Sequence, residues 1–137
     1  MHHSLSPQTR FFSILVPALV AGGVSVAMMV NVVKGNADQF TWTILLFSIW
    51  VVVDHVVALA HPEMITIDEE HIALSSFGRT HAYPWSSVRK LRIKRLASGT
   101  FYVRINDGGL FNGRYWIPVH KFPDHLALSQ SLIDHQR

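Results

Sequence analysis

The feature that most constrains this chain is a long apolar run near its start. Residues 11–33 contain no charged side chain over 23 positions. A helix of that length is roughly 34 Å long, enough to cross a hydrocarbon core of about 30 Å. A cleaved signal peptide has a shorter apolar core of about 7–15 residues, and here a second apolar run follows. We therefore predict a transmembrane helix over residues 11–33, preceded by a tail, residues 1–10, with a disordered start.

The second apolar run covers residues 40–60 and predicts a second transmembrane helix of roughly 31 Å. Phe40 and Trp42 stand at its start, where an aromatic belt lies at a membrane surface. The short polar connection allows only a tight turn, and Pro62 cannot continue a helix. Residues 11–61 are therefore predicted to form a transmembrane hairpin.

Charge is distributed unevenly along the chain. Charged residues make up 15% of the sequence, against about 25% in a typical soluble domain. Ten of the 12 Lys and Arg residues lie beyond residue 61, whereas the loop between the helices carries only Lys34. The positive-inside rule therefore places both termini in the cytoplasm, with a cytoplasmic domain over residues 62–137. The chain has no cysteine, which excludes disulfides and thiolate metal sites.

Two features of the helices suggest contact surfaces. Ala18, Gly22 and Ser25 form a small-residue face, and such faces allow helices to approach closely in lipid. This face packs on the second helix, which we favour, or on another protein. Trp50 and Asp54 share a face of the second helix and are candidates for a partner interface.

Asp54 lies inside the second apolar run, beside His55 and seven residues before His61. An ionisable residue at that depth is a functional-site hypothesis by default. The carboxylate reaches the headgroups or pairs with His61, contacts a partner subunit, or joins both histidines in a metal or proton site. Because His55 points about 100° away from Asp54 on a helix, we expect the three not to converge, and we predict no metal and no cofactor.

The second half has the alternation and turn signals of short β-strands. The final segment has a candidate N-cap, Asp124, and an apolar stripe of Leu128, Leu132 and Ile133, which predicts a helix. The predicted strands cover residues 64–67, 71–75, 80–85, 88–96, 100–106 and 110–119.

The fourth predicted strand is strongly basic. Such residues near an anionic leaflet contribute about 1 kcal/mol each to membrane attraction, but they also protect edge strands from aggregation. Both interpretations remain open, and nucleic-acid binding is disfavoured because no recognised motif accompanies the charges. The candidate lipid contacts are Arg89, Lys90, Arg92, Lys94 and Arg95.

Short motifs in this half resemble a known family. An Ile-Thr-Ile-Asp strand at 65–68 is followed by Tyr-Pro-Trp-Ser-Ser-Val at 83–88, Trp-Ile-Pro at 116–118, Lys121-Phe122 and a helix. This order, after a membrane hairpin, resembles the YcxB-like proteins and bacterial pleckstrin-homology-like domains. The resemblance implies a small β-barrel or sandwich of about seven strands with a C-terminal helix, in a bacterial plasma membrane.

The same resemblance disfavours phosphoinositide binding, because the expected region carries Asp68, Glu69 and Glu70. No nucleophile-and-base motif and no phosphate-binding glycine loop occurs in the sequence, so we predict neither an enzyme nor a small-molecule substrate. The leading hypothesis is an accessory or assembly subunit that contacts lipids and other integral membrane subunits. The alternatives are a lipid-responsive adaptor that uses the basic strand, and a metal or proton site at Asp54.

Overall fold

The computed structural model describes residues 2–109 and 111–136. Helix α1 (Pro7–Val33) and helix α2 (Gln39–Val57) form an antiparallel hairpin. The first helix begins four residues before the predicted boundary, since Ser6 caps it by accepting from the Thr9 N–H and Pro7 fits the first turn. The second ends at residue 57 rather than 60, because Leu59 has a φ of 51°, which a helix cannot contain.

The two helices pack along a narrow polar and small-residue seam. The Ser25 hydroxyl donates to the Ser48 hydroxyl at 2.9 Å, while Ala21 and Leu45 are buried beside this bond. Asp38 caps α2, accepting from the Thr41 N–H and hydroxyl at 2.8 Å each. These bonds stabilise the carboxylate and hold the pKa of Asp38 below its ordinary value.

Each helix contains one π-helical turn. Phe11–Leu15 precedes Pro17, whose missing N–H and ring disturb the regular bonding pattern. Val53–Val57 ends α2 and carries Asp54 and His55. The two turns lie at the same end of the hairpin, where it meets the rest of the chain.

Within residues 2–109 and 111–136, seven strands form two antiparallel sheets, of order β1-β2-β3-β4 and β5-β6-β7, followed by helix α3 (His125–Asp134). The predicted start of the last strand, Leu110, lies outside the described residues, as do Met1 and Arg137. The strands are β1 (His2–Ser4), β2 (Met64–Ile67), β3 (His71–Ser76), β4 (Arg79–Pro84), β5 (Leu91–Arg95), β6 (Phe101–Ile105) and β7 (Arg114–Ile117).

The expectation of a disordered N-terminus is wrong, and the tail assigned to residues 1–10 is corrected. His2–Ser4 pairs with Thr66–Met64 as an outer strand, and His3 is fully buried with its Nδ1 hydrogen-bonded to the Asp124 carboxylate. This pairing satisfies backbone groups that would otherwise be left open at the edge of β2. The helical hairpin is thus inserted between the first two strands of the β domain.

The hairpin and the β domain share one core. Leu5, Ile14 and Leu59 are buried in the same cluster as the inward side chains of both sheets. Two polar contacts reinforce the junction between the hairpin and the β domain. In the first, Arg10 pairs with Glu63 at 2.6 Å. Arg79 donates to the carbonyl of Val56, near the end of α2, at 2.9 Å.

A hydroxyl network connects the two sheets. The buried Tyr115 hydroxyl lies 2.6 Å from the Tyr83 hydroxyl and 2.9 Å from His81 Nδ1, so β7 is bonded to β4. The Gly113 N–H donates to Tyr83 at 3.1 Å. Burial raises the pKa of Tyr115, and the phenol stays protonated.

Candidate functional site

The outer face of the three-stranded sheet carries a row of arginines, one from each strand. Arg92 lies directly opposite Arg104, and Arg104 lies directly opposite Arg114. Side chains that face each other across antiparallel strands point to the same side, with Cβ atoms about 4.5–5.5 Å apart. We call Arg92, Arg104 and Arg114 the arginine ladder.

A second row runs beside the arginine ladder. Lys94 lies opposite Tyr102, which lies opposite Trp116, and the two aromatic rings pack with centroids 4.5 Å apart. The inward side chains of the same strands, such as Val103 and Tyr115, are completely buried. We call the two rows together the basic face.

The arginine ladder has no acidic partner among residues 2–109 and 111–136. None of the ion pairs in this part of the chain includes its members, and Arg104 bonds only to a backbone carbonyl, that of Asp107, at 2.8 Å. Like charges directly opposite each other destabilise a sheet. Among the described residues, the three like charges therefore lie side by side without a carboxylate to neutralise them.

A glycine beneath the ladder allows its side chains to lie close together. A Cβ atom at Gly108 would come within 3.1 Å of Arg114 Cγ and 3.2 Å of Arg104 Cγ. Gly108 has a φ of 55°, in the left-handed region that glycine adopts without penalty. The turn at Asp107-Gly108-Gly109 therefore also provides the space in which two of the arginine stems pack.

The basic face reaches the end of the hairpin. Tyr102, Arg114 and Trp116 line a cavity of about 130 Å³ together with Trp50 and Asp54 of α2. Trp50 lies seven residues before the end of that helix, roughly 10 Å along its axis. The β7 side of the basic face thus overhangs the last turns of the hairpin.

Trp116 also lines a larger cavity, of about 500 Å³, on the other side of the junction. Ser13 and Lys121 lie on its wall, and the lysine ammonium donates to the serine hydroxyl at 3.2 Å. His61 lines the same space. The junction is therefore open on two sides and carries both aromatic and cationic side chains.

The predicted lipid contacts divide into two groups. Arg92 and Lys94 belong to the basic face, whereas Arg89 and Lys90 precede β5 and present their backbone N–H groups to Asn106. Arg95 lies opposite the inward Phe101, at the end of the strand. Sequence reasoning missed Arg104 and Arg114, because their place beside Arg92 depends on strand register. In the sequence, the alternation of Arg104 with the apolar Val103 and Ile105 was the signal that Arg104 points to the outer face of its strand.

The predicted interface residues of the hairpin also divide. Ser25 is used within the hairpin, through its bond to Ser48. Ala18 is half-buried, and Trp50 is 48% exposed. A Cβ atom at Gly22 would meet no atom within 4 Å, so the space beside that glycine is not filled by α2.

Asp54, His55 and His61 converge, and the expectation that they would not is wrong. One carboxylate oxygen and one nitrogen from each ring lie within 4.8 Å of one another. His61 Nε2 is 3.1 Å from Asp54 Oδ2, and the two imidazole rings stack with centroids 4.3 Å apart. The π-helical turn and the positive φ of Leu59 bend the chain back, which places His61 over the end of α2.

Comparison of the chain with protein-family models, curated proteins and solved structures finds no match. The resemblance to YcxB-like and pleckstrin-homology-like domains therefore stays a prediction.

Proposed function

We propose that this chain is a membrane-anchored adaptor whose basic face binds anionic phospholipid headgroups. Two helices are long and apolar enough to cross a membrane, with mean hydropathies of 2.1 and 1.8. Only 17% of each apolar window is buried, whereas the core helix of a water-soluble domain is mostly buried. Exposed side chains such as Leu19, Phe47 and Val33 are suited to lipid contact.

Strand pairing supports a common side for both ends of the hairpin. β1 precedes α1 and β2 follows α2, and the two strands are hydrogen-bonded neighbours. The distribution of Lys and Arg favours the cytoplasmic side for this end. The cytoplasmic leaflet carries anionic lipids, so the proposed orientation brings the basic face to a surface of opposite charge.

The arrangement of the β domain supports the resemblance to pleckstrin-homology-like domains. In the described residues, this domain has one four-stranded sheet and one three-stranded sheet, and α3 follows the last strand. In this chain the acidic residues Asp68 to Glu70 lie in the turn between β2 and β3, whereas the arginine ladder lies on the β5–β7 sheet. We propose a pleckstrin-homology-like domain that contacts lipid through β5–β7 rather than through its first strands.

The observation that carries the proposal is the unpaired arginine ladder beside the hairpin. The cavity shared by Arg114 and Trp50 brings β7 to the level of the last turns of α2. Arg guanidinium groups bind phosphate bidentately, and Trp116 has the amphipathic ring that is favoured at membrane interfaces. At about 1 kcal/mol per side chain, the ladder contributes about 3 kcal/mol, or roughly 150-fold, to docking on an anionic surface.

The test uses the full chain in lipid nanodiscs, with a fluorophore on a single introduced cysteine. Because the chain has no cysteine, Gln136→Cys, which lines a cavity with Arg92 and Arg104, gives a unique labelling site. A quencher attached to lipid headgroups then reports how close the basic face is to the bilayer. We expect stronger quenching in discs with anionic lipid than in discs of phosphatidylcholine alone, and a decrease with added salt.

Replacing all three arginines of the ladder by Gln is expected to remove the difference between the two lipids. The control Arg95→Gln removes one positive charge at the end of β5, outside the basic face, and is expected to keep most of the difference. Equal quenching in both lipids for the unaltered chain would contradict the proposal. So would a triple variant that behaves like the unaltered chain.

Membrane-subunit assembly is a second candidate function, favoured by the open surface at Gly22. A neighbouring transmembrane helix would approach the backbone there. Gly22→Leu is then expected to release partners that co-purify in mild detergent, while Leu19→Ala, on the exposed helix surface, retains them. Retention of every partner by the Gly22 variant would contradict this candidate.

A further inference from the structure

We propose that Asp54, His55 and His61 bind a divalent transition-metal ion, of which Zn²⁺ is the best fit. This site lies next to the β7 side of the basic face, with which Asp54 shares a cavity, and its proposed role goes beyond lipid binding. Two imidazole nitrogens and one carboxylate oxygen, with water completing the shell, are a common ligand set for an open zinc site. The side chains of Asp54 and His61 are 23% and 33% exposed, so solvent can reach the remaining position.

The distances require little rearrangement. Ligands about 2.1 Å from a tetrahedral ion lie about 3.4 Å from one another. The three donor atoms already lie within 4.8 Å of one another, and the Asp54–His61 pair is at 3.1 Å. Closing the remaining gap requires the side chains to rotate from the stacked arrangement of the two imidazole rings.

The orientation of His55 is set by the helix itself. Its Nδ1 lies 3.0 Å from the carbonyl oxygen of Val51, which can only accept, so Nδ1 carries the proton. The lone pair is then on Nε2. Zinc-bound histidines usually donate their other N–H to a carbonyl or carboxylate in this way, and that bond fixes the tautomer.

The pair of Asp54 and His61 supplies the other two ligands. A neutral His61 donates its Nε2–H to the carboxylate; when the ion binds, the ring takes the Nδ1–H tautomer, which leaves the lone pair of Nε2 for the metal. Arg114 lines the adjacent cavity without forming an ion pair to Asp54, so the carboxylate remains available. A bound ion would connect the last turn of α2 to the segment that leads into β2.

The test measures Zn²⁺ binding to the full chain in detergent, after chelator treatment, by titration and elemental analysis. We expect one tightly bound equivalent. Loss of a second-shell partner typically weakens a metal site 10–100-fold, so loss of a ligand in His55→Gln or His61→Gln is expected to weaken binding by more than about 100-fold. His71→Gln is the matched control, because His71 also lies beside a carboxylate, 3.0 Å from Asp68, without a second histidine.

The proposal would be overturned if the affinity for Zn²⁺ changed equally in His55→Gln, His61→Gln and His71→Gln. It would also be overturned if the unaltered chain showed no saturable binding of Zn²⁺. His2→Gln tests whether the N-terminal histidines bind the ion instead. Loss of the bound equivalent of Zn²⁺ in that variant would also overturn the proposal. Where a ligand variant fails to fold, the Co²⁺ spectrum of the unaltered chain gives the answer. Intense visible absorption indicates a four-coordinate site and supports the proposal, whereas the weak spectrum of six-coordinate Co²⁺ refutes it.

Discussion

Replacing Gly113 by Ala is expected to open the hairpin that brings Arg104 and Arg114 together. Gly113 has a φ of 78°, and a Cβ atom there would lie 2.8 Å from Gly108 Cα and 3.1 Å from the carbonyl oxygen of Ile105. Both neighbours are backbone atoms, so neither can rotate away. The left-handed conformation costs about 1–2 kcal/mol for a residue with a Cβ, and overpacking adds about 1–3 kcal/mol.

Gly78→Ala is the matched control for the substitution at Gly113. Gly78 has a φ of 71°, but a Cβ atom there would meet nothing within 4 Å. It therefore carries the conformational cost alone, and the two variants should differ by about 1–3 kcal/mol in free energy of unfolding.

Intrinsic tryptophan fluorescence during heating in detergent measures both variants. For a domain of this size each kcal/mol lowers the melting temperature by roughly 4–8 °C. We expect the Gly113 variant to melt at least 4 °C below the Gly78 variant. On heating, the Gly113 variant is also expected to lose its lipid-dependent quenching at a lower temperature than the Gly78 variant. Equal melting temperatures would refute the close approach of Gly113 and Gly108.

Two further predictions concern the hydroxyl network between the sheets. Tyr115→Phe removes the bonds to Tyr83 and His81 and is expected to cost about 1–2 kcal/mol, measured by chemical denaturation; an unchanged midpoint would show that the network contributes nothing. Burial and the nearby Arg79 hold the pKa of His81 below 6.5, so the unfolded chain binds the proton more readily. Stability linked to His81 is therefore complete above about pH 6.5 and declines as the pH falls below that value, and His81→Gln should reduce the difference in melting temperature between pH 7.5 and pH 5.5.

Long, strongly patterned segments were predictable from sequence. The charge-free run from Phe11 predicts a helix, and the alternation of Leu91 and Ile93 with charged residues predicts a strand. In each case the spacing of the apolar residues indicates which side chains are buried away from water. β1 was not predictable in this way. Its three residues have no apolar alternation, and the strand forms because β2 offers an open edge.

The candidate sites depend on geometry that sequence spacing does not contain. The convergence of His55 and His61 needs a π-helical turn and a left-handed Leu59, and both alter the regular 100° spacing used to separate these side chains. The arginine ladder needs the register of three strands, which the turn geometry sets. Composition predicted a basic surface, and only strand pairing identified which arginines lie side by side.

Because the hairpin is inserted between β1 and β2, the proposed membrane-anchored arrangement requires both helices to cross the membrane before the two strands can pair. β1 is synthesised first, yet its partner follows roughly 60 residues later, and closing a loop of that length costs about 3.6 kcal/mol for a free chain. When both helices cross the membrane, the chain returns to the side of the membrane on which β1 lies. If only one helix inserted, β1 and β2 would be on opposite sides of the bilayer, and the exposed edge of β2 would mark the molecule as misassembled. Under the proposed arrangement, β1 therefore pairs with β2 only in molecules in which both helices have crossed the membrane.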